Sequence, residues 1–157
     1  LEQAFGNKAD CYAEIVPITP LRNGRGQDVF ELSPARKADT MGNCTLAVTP
    51  VIRYDGVLTS CCNEEVIMGK GPDRFRTRVK NREALDTALA RFKADPLMRC
   101  VADVGLGELV KHPRLQSLAE KRYINNCDLC WKVMGEFPSL PESDRLINVI
   151  AQLGESH

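Results

Sequence analysis

Short runs of β-branched and apolar residues occupy the first part of this chain, and turn residues separate them. Residues 12–19 are mostly apolar and predict one buried strand. Residues 45–53 and 57–61 are two further apolar runs on either side of Tyr54-Asp55-Gly56. Asp-Gly is among the strongest two-residue turn signals, so the pattern predicts a β-hairpin here.

The hairpin also implies a register. If Asp55 and Gly56 are the two turn residues, Tyr54 pairs with Val57 and Pro50 lies opposite Cys61. Because side chains alternate between the faces of a strand, one face then carries a defined set of residues. This set is Cys44, Leu46, Val48, Pro50, Ile52, Val57 and Cys61.

Later in the chain the apolar spacing becomes helical. Helices are expected to begin after Asn81, at Asp95-Pro96, after His112-Pro113, at Asn125-Asn126 and before Leu146. Asn81 and Asp95 are expected to act as caps, because their side chains accept hydrogen bonds from the first free amides of a helix. Strands followed by helices predict an α+β fold.

Composition narrows the class of protein. The chain has 157 residues, of which 43% are hydrophobic and 27% charged, as in a globular domain. Its formal net charge is zero, so binding to nucleic acid through a basic molecular surface is not expected. It has no apolar run of membrane-spanning length and no signal-peptide pattern, so we expect no membrane partner and a cytoplasmic location.

Five of the seven cysteines have the arrangement of a metal site: Cys44, the doublet Cys61-Cys62, and the C-x-x-C motif Cys127 and Cys130. Four thiolates select zinc or an iron–sulfur cluster, and spacing alone does not choose between them. The hairpin register favours Cys61 over Cys62 as the fourth ligand, although a bulge would reverse this choice. A straight strand would hold Cys44 roughly 20 Å from the doublet, so the segment before Pro50 must bend back.

A thiol oxidoreductase that uses only Cys127 and Cys130 is the third interpretation. It is disfavoured because a thioredoxin-type motif follows an early strand, whereas this one lies late in the chain. The two remaining cysteines, Cys11 and Cys100, lie in apolar contexts and are expected in the core. His112 is expected to be solvated.

The run from Cys44 through Asp55-Gly56 to Cys61, with Cys127-x-x-Cys130 downstream, resembles the auxiliary-cluster extension of radical SAM enzymes, the SPASM or shorter twitch domain. The resemblance implies one [4Fe-4S] cluster on Cys44, Cys61 or Cys62, Cys127 and Cys130. It also implies that residues 1–35 end a partial (β/α) barrel, that residues 36–140 form the cluster domain and that residues 141–157 add a helix. Such a cluster accepts an electron from the substrate or positions it.

The sequence departs from that family in one respect. The C-x-x-x-C-x-x-C motif that holds the S-adenosylmethionine-cleaving cluster is absent, so these residues alone do not start radical chemistry. The resemblance therefore implies a fragment, with S-adenosylmethionine bound by an upstream or separate barrel. A small molecule or a peptide is the expected substrate. The alternative from another class is a non-catalytic interaction domain stapled by zinc.

A cluster bound to these thiolates needs apolar cover, because burial and hydrogen bonding set its reduction potential. We expect the cover to come from Leu46, Val48, Ile52 and Trp131.

Overall fold

The computed structural model describes residues 35–47, 49–139 and 144–154, all within the unit Pro34–His157. The predicted strand at 12–19, Cys11 and Val48 lie outside the described residues. The described part is a mixed α+β fold, as predicted. Its strands are β1 (Arg36–Lys37), β2 (Val51–Ile52), β3 (Val57–Thr59), β4 (Arg76–Arg78) and β5 (Arg122–Tyr123). Its α-helices are α1 (Glu64–Ile67), α2 (Arg82–Ala94), α3 (Pro96–Arg99), α4 (Leu106–Leu109), α5 (Gln116–Ala119), α6 (Asn126–Glu136) and α7 (Arg145–Gly154).

The strands form two small antiparallel sheets. β2, β3 and β4 make one sheet in that order, and β1 pairs with β5 in the other. α2 covers the three-stranded sheet, where Leu58 packs with Ala88 and Phe92 in a small core. The remaining helices surround a larger core. The sheet and helices thus bury two separate apolar clusters.

The predicted hairpin exists, but its predicted register is wrong by one residue. Val51 pairs with Thr59 and Ile52 with Leu58, and the Arg53 amide donates to the Val57 carbonyl at 2.8 Å. The loop therefore has three residues, and Gly56 closes it at φ +79°, a conformation that favours glycine. In this register Ile52 lies opposite Leu58, and Ile52 is 55% exposed while Leu58 is buried.

The segment before Pro50 is also not the strand that was predicted. Residues 45–47 form a turn, in which the Ala47 amide donates to the Cys44 carbonyl at 3.1 Å. The Cys44 amide itself donates to the carbonyl of Val101 at 3.0 Å. This turn supplies the bend that an approach of Cys44 to the doublet requires.

The helix starts agree with the sequence. Asn81 caps α2 by accepting from the Ala84 amide at 2.9 Å, and Asp95 caps α3 by accepting from the amides of Leu97 and Met98. α3 continues into a π-helical segment, Cys100–Val104, and the chain then turns into α4. The Pro113–Leu115 turn and α5 follow His112, and α7 packs on α3 and the π-helical segment.

Candidate metal centre

All five cysteines of the predicted site line one pocket. It holds about 310 Å³ of empty space, including the part open to solvent. Apart from two asparagines, the other lining residues are apolar: Leu46, Ala47, Met98, Val101 and Met134. Cysteines from three distant parts of the sequence therefore face a common and largely apolar space.

The Cys44 end of the pocket is fixed by the turn at residues 44–47. Cys44 is half-buried, and its backbone is held by the bond to Val101, which itself lines the pocket. Leu46 is 52% exposed but contributes to the pocket wall, as expected for a residue at the rim. Ile52, in contrast, is 55% exposed and does not line the pocket, so the expectation that it covers the site is wrong.

The C-x-x-C end of the pocket is the first turn and a half of α6. Asn125 caps this helix, because its Oδ1 accepts from the Asp128 amide at 2.9 Å. Cys127 and Cys130 then lie on neighbouring turns, near the amides at the positive end of the helix. Those amides favour negative sulfur, which suits thiolate ligation.

Asn63 joins the doublet to this helix. It is 3% exposed, and its Nδ2 donates to the Cys127 carbonyl at 3.0 Å. Its Oδ1 accepts from the Glu65 amide at 3.0 Å and so caps α1. One side chain thus fixes the segment after Cys62 to the start of α6. The cap is readable from the sequence Asn63-Glu64-Glu65, whereas the contact with Cys127 is not.

Burial raises the pKa of these thiols. It is the main cause that raises the pKa of Cys61 to about 11 and that of Cys127 to about 12. Burial also raises the pKa of Cys130 well above its ordinary range and raises that of Cys62. Repulsion from neighbouring thiolates adds to each of these shifts, since the thiolates lie around the same space. A bound cation would oppose both causes of the shift, because its charge stabilises the thiolate form.

These repulsions distinguish the two members of the doublet. After burial, the pKa of Cys130 is raised by the charges of Cys61, Cys127 and Cys44. Cys61 is also the more buried of the pair, at 5% exposure, whereas Cys62 is half-buried. Both members of the doublet raise the pKa of Cys127, but only Cys61 is a cause of the raised pKa of Cys130.

Within residues 35–47, 49–139 and 144–154 the cysteines are free thiols. Over the same residues, no group of three or more His, Cys, Asp or Glu side chains is arranged to hold a metal ion. No helix among the described residues has the length and apolarity needed to cross a membrane.

No family model, curated protein or solved structure matches this chain. The geometry of the pocket is thus the evidence on which a functional proposal rests.

For two residues that lie away from the pocket, the sequence-based prediction of burial is confirmed in one case and wrong in the other. Cys100 is fully buried in the core, and its thiol donates to the carbonyl of Ile147 at 3.4 Å. The expectation that His112 is solvated is wrong, because it is 5% exposed. Its Nδ1 accepts from the Arg114 amide, and its Nε2 lies 3.2 Å from a carboxylate oxygen of Asp144. His112 thereby links the start of α7 to the Pro113–Leu115 turn.

Proposed function

We propose that this chain is the auxiliary-cluster part of a radical SAM enzyme and that its cysteine pocket holds one [4Fe-4S] cluster. The ligands are Cys44, Cys61, Cys127 and Cys130. The observation that carries the proposal is that all five cysteines selected from the sequence line a single apolar pocket. Bound there, a cluster supplies one-electron transfer, or a coordination site for substrate if one iron has no protein ligand.

The donor set and the lining of the pocket support a cluster. Four cysteine thiolates are the common ligand set of [4Fe-4S] clusters. The largely apolar lining also suits such a cluster, because burial is one determinant of its reduction potential.

The chain's own residues have two tasks in this proposal. The apolar side chains of Met98, Val101 and Met134 exclude water from the sulfurs, which is one determinant of reduction potential. The backbone amide of Asn63 donates to the Cys61 sulfur and favours its thiolate form. Hydrogen bonds of this kind orient a ligand and tune the group that it binds.

A zinc-stapled interaction domain is the second candidate. The same four cysteines satisfy the ligand requirement of a structural zinc site. Two of these four, Cys44 and Cys127, are only half-buried, which leaves their side chains room to move toward one ion. This candidate requires no catalytic barrel and no S-adenosylmethionine.

Metal and sulfide analysis separates the two candidates. The protein is purified without oxygen, reconstituted with ferrous iron and sulfide, and desalted. We expect about four irons and four acid-labile sulfides per chain, with the charge-transfer absorption of a cluster. The Cys130→Ala variant is expected to lose them, and the Cys100→Ala variant, which changes a buried thiol away from the pocket, is expected to keep them. A colourless protein that contains one zinc ion and no sulfide would contradict the cluster proposal and support the zinc site.

A further inference from the structure

Ser60 carries a buried hydroxyl that has no hydrogen-bond partner in the described part of the chain. The residue is 1% exposed, and its Oγ is one of two such side-chain atoms there, the other being the Nη2 of Arg74. The Arg74 guanidinium still donates through its Nε and Nη1, whereas the Ser60 side chain has a single polar atom. Buried hydroxyls in folded proteins almost always have a partner, so the atom that this hydroxyl faces indicates its role.

The Ser60 hydroxyl faces the Cys61 sulfur. Burial raises the pKa of the Cys61 thiol to about 11, and the nearby hydroxyl acts in the opposite direction by favouring the thiolate. In the free thiol no hydrogen bond of normal geometry joins the two atoms. A neutral thiol is a weak acceptor, whereas a negatively charged sulfur is a strong one. The hydroxyl is therefore placed for the thiolate form of Cys61, which is the form that binds a metal.

Backbone hydrogen bonds hold Ser60 and Cys61 in position. The Ser60 amide donates to the Phe75 carbonyl at 2.9 Å, next to the start of β4. The Thr59 Oγ1 donates to the Cys61 carbonyl at 3.0 Å. Because the backbone on both sides is anchored, rotation of the two side chains between their staggered conformations is enough to align the hydroxyl with the sulfur.

Cys61 also has a second donor, since the Asn63 backbone amide acts on the same sulfur. At Cys127 and Cys130, in contrast, burial and the charges of neighbouring thiolates are the causes that raise the pKa. Hydrogen-bond donors thus gather at Cys61. Donors at a ligand sulfur are one of the features that set the potential of an iron–sulfur cluster.

We propose that Ser60 is a positioning residue whose hydroxyl donates to the Cys61 sulfur when the cysteine pocket holds its cluster, and that this bond raises the cluster's reduction potential. The inference rests on the proposed function. A donor draws charge from the ligand sulfur, so it stabilises the state with the additional electron more than the state without it. Ser60 therefore makes the cluster easier to reduce, which favours the electron-accepting role of the site over substrate coordination.

Redox titration of the reconstituted full chain tests this proposal. Ser60→Ala should bind as much iron and sulfide as wild type. Its one-electron equilibrium should shift toward the oxidised cluster by about three- to tenfold, and a tenfold shift corresponds to a potential about 59 mV lower. Thr59→Val is the matched control, because it removes the neighbouring buried hydroxyl, which donates to the carbonyls of Val51 and Cys61 and not to sulfur. It should lower the urea midpoint and leave the potential unchanged.

Stability of the metal-free protein supplies a second readout. There the Ser60 hydroxyl has no strong acceptor, so Ser60→Ala should unfold at a urea concentration no lower than wild type. In the reconstituted protein the same substitution should lower the midpoint, because a bond to a thiolate is lost. An unchanged potential or a lost cluster in Ser60→Ala, an equal potential shift in Thr59→Val, or a lower metal-free midpoint would overturn the inference while wild type still binds its cluster. If wild type takes up no iron and sulfide, the proposed function and this inference both fail.

Discussion

Cys61 and Cys62 are adjacent in sequence but differ in surroundings. Cys61 is buried and its charge acts on Cys130, whereas Cys62 is half-buried. The sequence alone chose Cys61 through a hairpin register that the structure corrects. The preference for Cys61 now rests on burial and on the neighbouring thiols instead. The proposal that Cys61 is the ligand therefore depends on the local packing of one residue.

Replacing each member of the doublet separately gives the first prediction. Cys61→Ala should lose most of the iron and sulfide, because one of the four proposed ligands is removed. Cys62→Ala, the matched control one residue away, should retain at least four-fifths of both. Iron and acid-labile sulfide per chain after anaerobic reconstitution are the measurements. The opposite pattern would assign Cys62 as the ligand.

Cys100 gives a prediction about pH. Burial raises the pKa of this thiol to about 12, so the folded protein holds the proton more tightly than the unfolded chain. Its contribution to stability is complete below the ordinary thiol pKa of about 9 and is lost as the pH rises toward 12. The difference in unfolding free energy between wild type and Cys100→Ala should therefore shrink between pH 8 and pH 11. Urea unfolding at each pH measures it, and a constant difference would contradict the assignment.

At the scale of elements, the features readable from sequence were those with local causes. Asn81, Asp95-Pro96 and Asn125 act on the amides of their own helices, and each start was predicted. The register at Gly56 and the turn at residues 44–47 were not. The former depends on a three-residue loop, and the latter depends on the hydrogen bond between Cys44 and Val101, which are distant in sequence. The site itself was predicted as a set of cysteines, but its pocket and the Asn63 contact were not.

Asn63 and Asn81 form a matched pair of helix caps. Both side chains accept from a first-turn amide, but Asn63 also donates to the Cys127 carbonyl at 3.0 Å. Asn81→Ala should cost about 1 kcal/mol, the usual value of a cap. Asn63→Ala should cost about 2 kcal/mol because a second hydrogen bond is lost. It should also reduce cluster content, which Asn81→Ala should not. Equal losses in urea unfolding would show that the bond to Cys127 contributes nothing.

Gly107 is a point of close approach between α4 and the segment that leads to Cys44. Its amide donates to the Met41 carbonyl at 2.7 Å, and an added Cβ would lie 2.6 Å from the Asp39 carbonyl oxygen. Gly107→Ala should therefore cost about 1–3 kcal/mol through overpacking. Gly135→Ala is the control, because it lies in α6 with no atom near its Cβ position, and should stabilise by about 0.5–1 kcal/mol. Thermal unfolding of both variants checks the contrast.

At the scale of the whole molecule, the cysteine pocket is where the turn at residues 44–47, the doublet and α6 meet. Direct hydrogen bonds join these segments: Cys44 to Val101, Asn63 to Cys127, and the Asn126 side chain to the carbonyls of Gly42 and Asn43. A group bound by all three segments closes long loops that the unfolded chain leaves open. Because binding to the folded state stabilises it by mass action, the free energy of binding adds to that of folding.

Removal of the metal should consequently destabilise the whole described fold and not only the pocket. Treatment of the reconstituted protein with a chelator and an oxidant should lower its unfolding free energy by several kcal/mol, on the order of 4 for a ligand at a thousand times its dissociation constant. Cys130→Ala supplies the control, since it should unfold at the same urea concentration before and after the same treatment. If the wild-type protein also keeps its urea midpoint, the packing of the segments alone stabilises the fold. The bound group then contributes nothing to stability. A selective drop in wild type, restored by iron and sulfide but not by zinc, would instead tie folding and cluster binding to the same four thiols.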